Sequence, residues 1–218
     1  MRELECELAF LSKCDGSAAF QHGTTKTLCA VYGPVEVKLN QEKVDRATLD
    51  CIIKPKVGLG SVKEKSLEAI VSKTCEEVAL TTLHPRSAMQ IVVQTLQDSG
   101  SLLACMLNAS CMAMVHAGLP MKSLMVAVAC CVCNDQIIID PTLEEEENSV
   151  CGMTFAFGTK NFEMIASHTY GSFTVDQYMT CLENCRRVGK QIASFQRDSI
   201  TRFLSKETNE EETETEEE

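Results

Sequence analysis

Glu144 to Glu147 are four consecutive carboxylates, the densest set of proton-accepting groups outside the end of the chain. Carboxylates can ligate a metal or exchange protons, but acid–base work needs them to converge from rigid elements. Four in a row, flanked by Asn148 and Ser149, read instead as a solvated loop. Asp98-Ser99-Gly100-Ser101 leads from a strand pattern into a helix, and free amides at a helix start can cradle an anion. No cation follows, only Leu102 and Leu103, so the sequence expects an ordinary strand-to-helix turn there. Lys54, Lys56, Lys63 and Lys65 cluster between a strand end and a helix start, which suits either phosphate tracking or a solvated face. His22, His84, His116 and His168 are each isolated, and no set of Ser, His and acid can be assembled from spacing.

Thirteen cysteines are many, and odd in number. They form no paired C-x-x-C framework, and without a secretory signal a disulfide scaffold is not expected. Cys130-Cys131-x-Cys133 sits in an apolar strand pattern, where Cys131 and Cys133 share one face and Cys130 the other. Cys181 and Cys185 are one helical turn apart. Neither group has the four converging ligands of a structural zinc site. They read as small buried hydrophobes, and no metal or cofactor is expected.

The elements that must position these groups follow from periodicity. Alternation marks strands at Glu3–Lys13, Thr27–Tyr32, Val35–Leu39 and Thr48–Lys54, with Gly33-Pro34 expected as a turn. Ser61-Val62-Lys63-Glu64 is a capping box, opening an amphipathic helix over 62 to about 81. Ala88–Leu96 alternates again, and Leu102–Ala117 is a very apolar helix stopped by Gly118 and Pro120. Two strands end at Ile139-Asp140, a hairpin is expected over Cys151–Phe157 and Asn161–His168, and a last helix runs from about Thr174 to Leu204. The order is four strands, helix, strand, helix, strands, helix. That is an α+β fold with mixed sheet and packed helices, without a G-x-G-x-x-G or Walker loop.

Twenty Lys and Arg stand against 31 Asp and Glu, a formal charge of -11. Eight of the acids lie in Glu207–Glu218 and four in Glu144–Glu147, so the body is close to neutral. The expected organisation is one domain over 1–205 and a disordered acidic tail over 206–218. No run is long enough for a membrane span and the start lacks a signal peptide's pattern, so a soluble intracellular protein is expected. The acidic balance excludes an independent cationic nucleic-acid binder.

Asp15-Gly16-Ser17-Ala18-Ala19-Phe20-Gln21-His22-Gly23-Thr24-Thr25-Lys26, then Ala30-Val31-Tyr32-Gly33-Pro34-Val35-Glu36, resembles the opening signature of the RNase PH family. His84-Pro85-Arg86-Ser87 and Val93-Gln94-Thr95-Leu96-Gln97-Asp98-Ser99-Gly100-Ser101 are similar to its second signature. Ala117-Gly118-Leu119-Pro120-Met121 and Ile138-Ile139-Asp140-Pro141 continue in register, so the resemblance covers about residues 3 to 200. It implies a duplicated β-α-β-α fold. Active members are phosphorolytic 3′ exonucleases, in which inorganic phosphate attacks the terminal RNA linkage.

The same resemblance implies where the chemistry is lost. Active members carry Gly-Thr-Arg or Gly-Ser-Arg at the phosphate loop, and this chain has Gly100-Ser101-Leu102; leucine offers neither charge nor a bidentate fork. By register Glu146 stands at the first acid, whereas Gly152 replaces the second. Such groups act as a unit, so their joint loss removes many orders of magnitude in rate. Paired arginines at the start of the first helix correspond here to Val62 and Lys63. Lys63 is the first RNA-contact candidate, followed by Lys65 and Arg86.

The chain is thus expected to be a non-catalytic RNase PH-like subunit of the hexameric exosome ring. It would sit among other RNase PH-type and cap subunits, with RNA in the central channel, in nucleus, nucleolus and cytoplasm. Two alternatives are an active phosphorolytic exoribonuclease, working as an isolated homodimer, and a stand-alone RNA- or DNA-binding module.

Overall fold

The computed structural model describes residues 1–133 and 136–216, with side chains through Lys206. Two sheets flank one buried helix. The first contains β1 (Leu4–Leu8), β2 (Gly16–His22), β3 (Thr25–Glu36), β4 (Thr48–Lys54) and β5 (Ser87–Gln97), in the order β1-β2-β3-β5-β4. β4 and β5 run parallel because α1 (Val62–Val78) carries the chain across between them. The second sheet contains β6 (Met125–Cys133), β7 (Gln136–Ile139), β8 (Cys151–Gly158) and β9 (Met164–Gly171), ordered β7-β6-β8-β9 and antiparallel throughout.

Between the sheets lies α2 (Leu102–His116), packed on β2 and β3 on one side and β6 on the other. Every residue from Leu103 to Met114 is buried. A helix apolar on all sides is stable only in such a place, which is why its sequence lacks a polar face. Its one amide is satisfied in the core: Asn108 accepts from Ala127 N–H at 2.9 Å and donates to Ala127 O at 3.0 Å. α4 (Val175–Glu216) covers β6 and β8 and reaches β1. No described helix is long and apolar enough to cross a membrane.

The α+β layout and the Ser61–Glu64 capping box are as the sequence leads one to expect, whereas β2 (Gly16–His22) is a strand the periodicity does not announce and Thr27–Tyr32 and the start of Val35–Leu39 belong to one strand, β3. Three local expectations are corrected. Gly33-Pro34 does not end a strand; β3 runs through it with a register slip between Tyr32 and Val35. Proline has no N–H for the ladder, and the irregularity absorbs it, while Gly33 N–H donates to Asp15 Oδ2 at 2.8 Å. Second, Leu143–Glu147 is not an open loop but the short helix α3, closed by a capping box between Thr142 and Glu145. Third, α4 does not stop near Leu204: its backbone is helical to Glu216. Glutamate is a fair helix former, and the helix is already nucleated by its packed first half. Glu217 and Glu218 lie outside the described residues.

Candidate functional site

β5 ends at Gln97, and Asp98–Ser101 then turns the chain into α2. Gly100 (φ 97°) and Ser101 (φ 56°) both adopt positive φ. Glycine does this freely and serine at a cost, so the loop must be held from outside. Thr25 Oγ donates to Gly100 O at 2.7 Å and accepts from Ser99 N–H at 3.2 Å. Arg2 reaches the same loop, donating to Ser99 O at 3.1 Å and Gly100 O at 3.2 Å.

Arg2 also pairs with Asp140, Nη2 to Oδ1 at 2.7 Å, while its backbone N–H donates to Oδ2 at 2.9 Å. His22 stands 3.5 Å from the same carboxylate. Burial opposes the charge on Asp140, but the contacts with His22 and Arg2 outweigh it and hold the carboxyl well below the usual range. His22 is therefore not isolated: its other ring nitrogen lies 3.2 Å from Asn108 Nδ2. This network is buried structure, with no serine nucleophile in it, and it ties the first sheet to the end of β7.

The loop opens on a cavity of about 370 Å³. It is lined by Lys63 and Leu67 of α1, Asp98 of the loop, Leu102 and Leu103 at the start of α2, and Glu146, His168 and Tyr170. Of the four residues that the resemblance places at a degenerate site, Ser101, Leu102 and Glu146 line this cavity, and Gly152 adjoins it through its partner Tyr170. Ser101 N–H donates to Glu146 Oε1 at 2.7 Å, and Ser101 Oγ donates to Pro141 O at 3.1 Å. Leu102 lines the cavity half-buried. Gly152 pairs across β8 and β9 with Tyr170, whose ring occupies the space a side chain at 152 would need. Desolvation pushes the Glu146 carboxyl up against the pull of the Ser101 amide. Burial, with the Glu146 charge nearby, likewise raises the Tyr170 phenol.

Of the candidate RNA contacts, Lys63 lines this cavity and Lys65 faces a neighbouring groove with Lys54 and Gly60. Arg86 is not brought to them. It immediately precedes β5, whereas the cavity lies beyond its other end, about 30 Å away at strand rise. There Arg86 stands 3.8 Å from Glu42 on an exposed surface. Arg2, Tyr170 and His168 are the site residues that sequence reasoning missed. Arg2 is 138 residues from its partner, and no local pattern marks it. Among the described residues, no three His, Cys, Asp or Glu side chains converge as metal ligands. The cavity thus has one lysine, Lys63, and two acids, Asp98 beside the loop and Glu146 seated on the Ser101 amide, with no arginine in its lining and no side chain from position 152.

The sequence matches the 3′ exoribonuclease family, domain 1, over residues 1–120 and domain 2 of that family over residues 123–188. It is 33% identical over 224 residues to the "Exosome complex exonuclease RRP46 homolog" of Arabidopsis thaliana, covering 94% of each chain. The crystal structure of rice Rrp46 superposes with a TM-score of 0.88 at 31% identity, covering 92% of this chain and 95% of that one. An Archaeoglobus fulgidus exosome with RNA bound to the active site shares the fold at a TM-score of 0.77 and 18% identity, covering 88% and 87%.

Proposed function

The chain belongs to the 3′ exoribonuclease family across both of its domains, and on that premise we propose that it is an exosome ring subunit that keeps the fold without the chemistry. It packs among other RNase PH-type subunits and the cap subunits, and lines the channel that carries RNA to nucleases for 3′-to-5′ processing and degradation. It needs no cofactor, and it works in nucleus, nucleolus and cytoplasm.

The observation that carries this reading is the filled position beside Gly152, where Tyr170 leaves no room for a second acid. Leu102 compounds it, because phosphorolysis needs a cationic anchor for the attacking phosphate. Lys63, exposed at the first turn of α1, is the RNA contact this chain brings to the channel, with Lys65 behind it. A near-neutral body suits a channel whose positive charge is shared among several subunits. The test is a tagged pull-down with mass spectrometry. Recovery with ring paralogues is expected; a chain recovered only free or monomeric contradicts the reading.

A second reading, an active phosphorolytic exoribonuclease, draws on two observations. Glu146 and Lys63 both face the cavity, and the Arabidopsis relative is named an exonuclease. Steady release of nucleoside diphosphates from 3′-tailed RNA by the pure protein would favour it.

A further inference from the structure

The segment from Asp140 to Ser149 lies across the start of α2 and is fastened to it at several points. Leu143 N–H donates to Ser99 O at 3.0 Å. Ser101 is held twice, through its hydroxyl on Pro141 O and its N–H on Glu146. At Gly100 the approach is so close that a Cβ would lie 2.6 Å from Pro141 O. Behind the segment, Arg2 holds both Asp140 and Gly100 O. These contacts come from backbone, hydroxyl, carboxylate and guanidinium alike, and all close the same seam.

We propose that this segment is a strap and that Glu146 is its catch: a tethered carboxylate on the Ser101 amide that keeps free oxyanions off the start of α2. The first amides of a helix have no intrahelical acceptor and favour negative charge. Here one is taken by a group on the same chain, whose effective concentration a dissolved anion must outcompete. Leu102 adds no cation of its own, Arg2 is engaged by Asp140 and the loop carbonyls, and Lys63 on α1 faces the seated carboxylate. Glu146 is only half-buried, so the catch can open without unfolding the core. The inference rests on the family reading of residues 100–102 as the phosphate loop, and it goes beyond that reading by assigning the loop a resident occupant.

The catch is also poised to respond to pH. The groups facing Glu146 are Asp98 before α2, Arg2, Lys63 on α1, Cys131 on β6, Tyr170 and His168 on β9, and its neighbour Glu145. Desolvation and Asp98 raise its carboxyl, and the Ser101 amide, Arg2 and Lys63 act against them. Mild acid therefore neutralises Glu146 before an ordinary glutamate and loosens the strap.

The test is amide NMR on the full-length isotope-labelled chain, with inorganic phosphate as the probe. In the native protein the Ser101 amide should ignore phosphate at neutral pH and shift with the same midpoint as the Glu146 carboxyl. In Glu146→Ala it should shift saturably with phosphate. The proposal is overturned by a native Ser101 amide that does not follow the Glu146 titration. Equal phosphate shifts in native and variant chains also overturn it, as does a folded variant silent to phosphate. Should Glu146→Ala not fold, the native titration alone decides. Neither readout measures nucleoside diphosphate release, so failure of the ring reading and failure of the strap are separate results.

Discussion

Gly152 and Tyr170 face each other across β8 and β9, and the phenol of Tyr170 stands where any side chain at 152 would begin. A β-carbon built on Gly152 overlaps Tyr170 Cζ and Oη. The absence of an acid at 152 is therefore not an empty vacancy. The neighbouring strand has filled it, and a carboxylate at 152 requires the phenol end of Tyr170 to shift. Gly152→Asp should destabilise the fold by about 1–3 kcal/mol through overpacking. The double variant Gly152→Asp/Tyr170→Ala should recover part of that loss, since contacting residues couple by about 0.5–3 kcal/mol. Denaturant unfolding of the four proteins in the cycle measures it; strict additivity would contradict the contact.

Repairing the phosphate loop alone should not repair the chemistry. Leu102→Arg supplies a fork, but it enters a site whose Glu146 is seated on the Ser101 amide and whose position 152 carries no side chain. The variant should bind 3′-tailed RNA at least as well as the native chain and release nucleoside diphosphates no faster than a blank.

The buried pair between Arg2 and Asp140 should dominate acid sensitivity. The Asp140 carboxyl titrates lower in the fold than in the unfolded chain, where an aspartate has a pKa of about 3.9. Its contribution to stability is thus complete above that value and is lost as pH falls through it toward the folded pKa. Arg2→Ala leaves the carboxylate buried without its guanidinium and should cost about 3–5 kcal/mol at neutral pH. Asp140→Asn should flatten the loss of stability below about pH 4. Urea midpoints as a function of pH provide the readout.

Several of these relationships were legible in the residues and others were not. The all-round apolarity of Leu102–Ala117 announced a helix enclosed on every side, and α2 lies between the two sheets. Ser61 and Glu64 announced where α1 begins. Thr142 and Glu145 carry the same capping signal, so the start of α3 is legible too, although the run of glutamates that follows has the composition of a solvated loop. The pairing of Gly152 with Tyr170 was not readable. It depends on the register of β8 on β9, which no local pattern fixes because both faces of β8 are largely buried. That Arg86 and Lys63 stand at opposite ends of β5 is not legible either, because the direction of a strand relative to α1 is a matter of topology and not of local pattern.

Lys63 and Arg86 should consequently behave differently toward RNA in the assembled ring. Lys63→Ala should weaken binding and lower the slope of log affinity against log salt by about 1. Arg86→Ala should leave both unchanged. A salt titration of a labelled single strand against the two variant complexes separates them.

The cysteines should be chemically quiet. Desolvation pushes the Cys105 and Cys111 thiols up to about 12, and ten of the thirteen cysteines are buried. A colorimetric thiol titration of the native protein should therefore detect at most Cys6, Cys14 and Cys133, and denaturant should release the rest. Rapid native labelling of Cys130, Cys181 or Cys185 would mean that α4 lifts from the second sheet.

The central claim is that this fold has been kept and its phosphorolytic chemistry lost. The most direct measurement incubates the purified chain with 3′-tailed RNA and inorganic phosphate and follows nucleoside diphosphates over many turnovers. No release above a phosphate-free blank is expected, from the chain alone or in the ring when no active subunit is present. Steady, phosphate-dependent release by the chain alone would contradict it.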